Sequence, residues 1–143
     1  MKLILILLAI LMTLTNGTFS HPPIPNPAAA YCKFLGYGTQ VRKDLQGNEY
    51  GVCIFPDGSE CDEWEFFRGI CGKEYSYCAK KGCETYSVTE DKGSYTVTYC
   101  ACGCPDSSGR TIKMPLLEFM ALHGDTLIRP RPGIKGDMPE FNQ

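Results

Sequence analysis

The sequence is short of the side chains that most enzymes and metal sites rely on. Only two histidines, His21 and His123, occur in 143 residues. Neither stands near a second catalytic-looking group, so an ordinary hydrolase or metalloenzyme is not expected. Basic clusters are missing as well. With 14 Lys+Arg against 16 Asp+Glu, a formal net charge of −2, the chain is a poor partner for nucleic acid or an anionic membrane surface. No apolar run approaches the roughly 20 residues that a spanning helix needs, and no long amphipathic segment offers a membrane-active face. Zinc sites usually pair two Cys-x2–4-Cys spacings or add His at a fixed distance, and neither pattern occurs. No catalytic residue, metal or cofactor is therefore assigned, and no internal repeat is found.

The chain does have a leader-like start. Met1-Lys2 precedes an apolar run from Leu3 to Leu14 and a polar exit, which predicts a secretory signal peptide over residues 1–20, cleaved after Gly17 or Ser20. Its removal takes Lys2 away and moves the net charge by one unit toward acidic. The sequon Asn16-Gly17-Thr18 leaves with it. A lipoprotein would need a Cys directly after the apolar run, but the first is Cys32, so no stable membrane anchor is expected. Export places all nine cysteines in an oxidising compartment, where Cys32, Cys53, Cys61, Cys71, Cys78, Cys83, Cys100, Cys102 and Cys104 are expected to form disulfides with one left unpaired. An odd cysteine in an exported protein implies either a free thiol or a disulfide-linked homodimer.

Residues 21–25, His-Pro-Pro-Ile-Pro, read as a stiff Pro-rich linker. Asn26-Pro27 then opens a helix, with Asn as N-cap and Pro at the first helical position. Tyr31, Phe34 and Leu35 share its face, and Gly36 closes it. Alternation predicts strands at Gln40–Asp44 and Tyr50–Phe55, followed by a turn at Pro56-Asp57-Gly58. Ser59-x-x-Asp62 resembles a helix start, with Glu60, Asp62 and Glu63 in a first turn where the macrodipole favours them. Trp64, Phe67 and Cys71 would line its apolar face, and Gly69 would end it. Residues 26–71 therefore read as a four-Cys helix–β-hairpin–helix domain. A helix from Ser59 to Gly69 would hold Cys61 and Cys71 about 15 Å apart, beyond the roughly 7 Å a disulfide allows. The favoured bridges are then Cys53–Cys61 and Cys32–Cys71.

These residues resemble a known family. Asn26-Pro27-Ala28-Ala29-Ala30-Tyr31-Cys32 and the run from Tyr50-Gly51-Val52-Cys53 through Pro56-Asp57-Gly58, Glu63-Trp64 and Phe67-Arg68-Gly69 to Cys71 look like the domain of unknown function 333 family. Its members are small exported proteins, mostly bacterial and loosely labelled hemolysins. The resemblance implies an exported location and a shared scaffold over residues 26–71. It implies no reaction.

The remainder, residues 72–124, reads as a second Cys-rich segment. A Tyr/Lys-rich connector carries Cys78 and Cys83. A β-hairpin follows, Thr85–Glu90 and Ser94–Ala101, around Asp91-Lys92-Gly93. Period 2 puts Cys100, Cys102 and Cys104 on one face, so they need partners elsewhere, and Cys78 and Cys83 can supply two. Pro105–Gly109 reads as a loop, Met114 to Gly124 as a short helix, and residues 125–143 as an extended tail. The fold class is thus small disulfide-rich α+β. Asp62, Glu63 and Glu65 read as a solvated first turn rather than an acid/base pair, and Trp64, Phe66 and Phe67 as core. The expected function is a secreted, disulfide-stabilised, non-enzymatic binding protein for an unknown protein or surface ligand. A small protease inhibitor is the alternative, with Phe55–Ser59 and Asp106–Lys113 (including Arg110) as inhibitory loops. A membrane-active toxin ranks behind both.

Overall fold

The computed structural model describes residues 26–127. The signal peptide, the Pro-rich linker and most of the tail expected from the sequence lie outside these residues. The architecture is a mixed α+β fold with two three-stranded antiparallel sheets and four disulfides.

Helix α1 spans Pro27–Phe34, and the Asn26 side chain accepts from Ala28 N at 3.0 Å. Strands β1 (Gly38–Lys43) and β2 (Glu49–Ile54) form the expected hairpin. Asp44 closes its connection by accepting from Gln46 N and Asn48 N. The next segment departs from expectation. Glu60–Asp62 is a third strand, β3, paired with Val52–Ile54. Helix α2 begins only at Glu63 and ends at Phe67. The Ser59-x-x-Asp pattern misled because Ser59 is bound by Asp57 in the hairpin turn. The working N-cap is Asp62, which accepts from Trp64 N and Glu65 N. A paired strand gives Glu60–Asp62 ladder bonds that an unpaired first helical turn lacks. The helix–hairpin–helix is therefore a helix, a three-stranded meander and a five-residue helix.

That correction also redraws the bridges. Cys61 sits in a strand, ahead of the helix, and Gly69 turns the chain with φ +72°. Cys71 comes back to Cys61 at a Cα separation of 6.2 Å and is bonded to it. Cys32 bonds Cys53. Cys53 and Cys61 are cross-strand neighbours, as the favoured pairing required, yet Cys53 bonds Cys32 on α1 and Cys61 bonds Cys71 beyond the end of α2. Both favoured pairs, Cys53–Cys61 and Cys32–Cys71, are thus replaced.

The chain then makes a 3₁₀ turn (Lys73–Tyr75) and a one-turn helix α3 (Tyr77–Lys80). Strands β4 (Glu84–Asp91) and β5 (Thr96–Pro105) form the second hairpin. A strand β6 (Thr111–Pro115), read from sequence as loop and helix start, adds to β5 before helix α4 (Leu116–Leu122). Cys78 on α3 bonds Cys102, Cys83 bonds Cys104, and Cys100 remains a free, buried thiol. The tail segment begins in contact with the fold. Tyr77 donates its hydroxyl to Asp125 at 2.6 Å, and Leu127 packs on the core.

One hydrophobic cluster runs through both halves, from Tyr31, Phe55 and Phe66 to Cys100, Leu116 and Met120. Tyr31 accepts Tyr77 N across that junction at 2.9 Å. Of the three aromatic residues read as core, Phe66 is fully buried, Phe67 is half-buried and Trp64 is exposed.

Glu63 is an unusual buried charge at the start of α2. Its carboxyl lies over Gly51, where any side chain would collide with it, and accepts from Asn26 Nδ2 at 3.3 Å. Burial, with help from the neighbouring Asp62, raises its pKa above the ordinary glutamate range. A carboxyl with a raised folded pKa favours the folded state less as it ionises. Wild-type stability should therefore fall relative to Glu63→Gln as pH rises from about 4 to 7. Urea midpoints of the two proteins at both pH values check this; parallel midpoints would contradict it.

Candidate functional site

A concavity lies between α2, the second sheet and α4. It encloses about 560 Å³. Trp64, Phe67 and Arg68 line it from α2 and its C-cap, Val97 to Cys100 from β5, and Leu116 to Glu118 from α4. Its walls are mostly carbon, and Trp64 (41% exposed) and Leu117 (54%) present large apolar surface to solvent. A small fold hides such side chains where its core has room, so a groove that keeps them on show is a default ligand site.

The charges around it are not equivalent. Glu90 is satisfied: Lys92 Nζ lies 2.5 Å away and Tyr99 donates its hydroxyl at 2.6 Å. These contacts hold its carboxyl below the ordinary glutamate range. Arg68 is different. Its guanidinium stacks 5.4 Å over the Trp64 ring, and it has no carboxylate partner among the described residues. Cys100, at the floor, is 3% exposed. Burial pushes its thiol up to about 12, so it stays protonated and unreactive at neutral pH.

The sites expected from sequence fall elsewhere. Phe55–Ser59 is a tight turn, with Phe55 N donating to Ser59 O at 2.8 Å and the Phe55 ring buried in the aromatic core. Asp106–Lys113 divides into a turn and the start of β6. Arg110 is folded back onto its own turn, where Asp106 accepts from its Nε at 3.2 Å. His123 caps α4, its Nδ1 2.8 Å from Phe119 O. Cys61, Glu65 and Cys71 bring three ligand-type atoms within 4.8 Å of one another. Two of these atoms are the sulfurs of one disulfide, which leaves a single carboxylate as a strong ligand. Sequence reasoning missed Val97, Thr98, Leu116 and Leu117 as groove residues. Nothing in local spacing joins three segments that only the tertiary fold brings together; the lone hint was the apolar Leu116-Leu117 pair directly after Pro115.

Comparison with known proteins adds kinship. The family model described as Domain of unknown function (DUF333) matches residues 23–70. An uncharacterised protein of Archaeoglobus fulgidus is 39% identical over 98 residues, covering 68% of this chain and 42% of its own length. An alignment of that length reaches past residue 70, into the second half. The uncharacterised protein YdbJ of Escherichia coli (strain K12) is 35% identical over 43 residues, covering 30% of this chain and 49% of its own length. The chain thus spans less than half the length of these relatives. No solved structure matches it. Among the described residues, no helix is long and apolar enough to cross a membrane. The match over residues 23–70 takes in α1, β1–β3, α2 and the cysteines Cys32, Cys53 and Cys61, consistent with a DUF333 segment at that place in the chain.

Proposed function

We propose that this is an exported, disulfide-stapled binding protein without catalytic activity, and that the groove between α2, β5 and α4 is its ligand seat. The carrying observation is the exposed Trp64–Leu117 apolar surface inside a concavity large enough for a ligand. Export is supported by the apolar run after Met1-Lys2 and by cysteines that are bridged two by two. The absence of any nucleophile–base pair among the groove residues favours binding over chemistry. A protease inhibitor presents an extended, rigid segment to the enzyme; the turns at Phe55–Ser59 and Asp106–Arg110 are instead closed on themselves.

The test uses the purified full chain. Trp64 is the single tryptophan, so its fluorescence reports directly on the groove. The neutral dye Nile red should bind and change Trp64 emission, and Leu117→Ser should weaken that binding several-fold. Dye binding unaffected by Leu117→Ser would place the ligand seat elsewhere. Intact-mass analysis should find four disulfides and one thiol, alkylated only after unfolding, in a chain that is not covalently dimeric. Rapid alkylation of Cys100 in the native protein would contradict its burial.

A further inference from the structure

The groove has a property beyond its apolar walls. It is lined by four consecutive residues of β5, Val97, Thr98, Tyr99 and Cys100. Successive strand side chains point to opposite faces of a sheet. A concavity that touches all four reaches the backbone of the strand and not only one set of alternate side chains, and it extends over the sheet as far as Glu90 of β4.

One edge of β5 is open. Strand β4 covers β5 on one side from Thr96 to Gly103, but β6 pairs on the other side only from Ala101 to Pro105. The chain leaves the sheet at Leu116 to begin α4. The ladder phase follows from the two turns. Lys92 N donates to Tyr95 O, and Asp106 N donates to Arg110 O. Stepping by two from each bond, odd-numbered residues of β5 aim their backbone groups at β4 and even-numbered ones at β6. Cys102 and Cys104 meet β6, whereas Thr98 and Thr96 have no strand beside them. Unpaired strand edges template the pairing of another extended backbone.

We infer that the open edge of β5 accepts an extended peptide of a partner protein as an added strand, which continues the line that β6 abandons. The inference rests on the groove being the ligand seat and names its occupant. An added strand takes affinity from main-chain bonds and specificity from alternate side-chain pockets. Thr98 offers one donor and one acceptor. Trp64, Phe67 and Leu117 supply apolar contacts, and Arg68, without a carboxylate partner among the described residues, selects an acidic residue at one end.

Thr98→Pro separates this mode from simple apolar binding. The Thr98 N–H points away from β4, so proline removes the edge donor and leaves the β4–β5 ladder intact. The probe is a displayed hexapeptide library with Val, Ile, Leu, Phe or Tyr at alternate positions. Selected peptides should bind the full chain, carry Asp or Glu at one end, and slow hydrogen exchange at the Thr98 amide. Thr98→Pro should weaken them by up to about tenfold, the worth of the one backbone bond it removes. Arg68→Ala should erase the acidic preference. Several results would overturn the proposal: no selected binder, binders indifferent to Thr98→Pro, or a Thr98 amide already protected in the dilute free protein. A wild-type dimer dissolved by Thr98→Pro would name a second copy as occupant and overturn it too. The exchange readout needs no variant, so a Thr98→Pro chain that fails to fold leaves the test intact. Nile red binding without peptide binding defeats only the strand-acceptor inference, whereas loss of both defeats the groove reading.

Discussion

Replacing both Cys78 and Cys102 by alanine is expected to lower the melting temperature by about 15 °C or more, a larger effect than removal of the Cys83–Cys104 bridge. Both residues are fully buried, and their bond ties α3 to the middle of β5. The bond closes a loop with a sequence separation of 24. Constraining that loop in the unfolded chain is worth roughly 3–4 kcal/mol. A domain of this size loses about 4–8 °C per kcal/mol. Truncating two sulfurs inside the core also leaves a void that the surroundings fill only in part. Cys83–Cys104 is the internal control. Its separation is a similar 21, but both residues are only half-buried. Its removal should cost the loop entropy without the void, so thermal unfolding of the two double variants should rank them clearly. Equal losses would assign the whole effect to the unfolded chain, and a larger loss at Cys83–Cys104 would contradict the packing argument.

Gly72→Ala should destabilise the protein by about 2–4 kcal/mol. Gly72 has φ +62°, a left-handed conformation in which an L side chain costs about 1 kcal/mol. It also faces the aromatic cluster. A Cβ there would lie 2.5 Å from Phe55 Cζ and 3.0 Å from Phe66 Cδ2. Neither ring can retreat cheaply. Phe55 stacks on Tyr75 at 4.4 Å and meets Phe66 edge-on at 5.0 Å, while Phe66 also touches Tyr31. Overpacking such a cluster adds roughly 1–3 kcal/mol. Gly82→Ala separates the two causes, because Gly82 has φ +75° with nothing within 4 Å of its would-be Cβ. Urea unfolding should move the midpoint of Gly72→Ala well beyond that of Gly82→Ala at an unchanged slope. Coincident midpoints would show that the cluster yields.

The elements legible in the sequence were those specified by their own neighbours. Asn26-Pro27 announces α1, Pro56-Asp57-Gly58 and Asp91-Lys92-Gly93 announce two turns, and the period-2 runs beside them announce β2, β4 and β5. What stayed hidden depended on distant partners. Strand β3 has three residues, too few for a periodic signal, and exists because β2 offers it a free edge. Its sequence carries two cap-like groups, Ser59 and Asp62, and choosing the first lengthened the helix on paper and excluded the true Cys61–Cys71 bond. Strand β6 was lost in the same way, since Thr111–Pro115 alternates weakly and pairs only because β5 runs long. The groove was illegible because Trp64, Val97 and Leu117 meet through packing alone. Of the aromatic residues read together as core, Phe66 is buried there, whereas Trp64 stands 41% exposed.

The connectivity also sets how easily the bridges form. In the first half the pairs are consecutive along the chain, Cys32 with Cys53 and then Cys61 with Cys71. In the second half they cross, Cys78 with Cys102 and Cys83 with Cys104. An oxidant that joins cysteines in their order of appearance would complete the first half correctly without help. In the second half the same rule would join Cys78 to Cys83 and trap Cys100 in a wrong bond, so reaching the native state there requires reshuffling. The two halves of this small protein thus place different demands on the machinery that oxidises them: a simple oxidase suffices for one, while the other needs an isomerase or time.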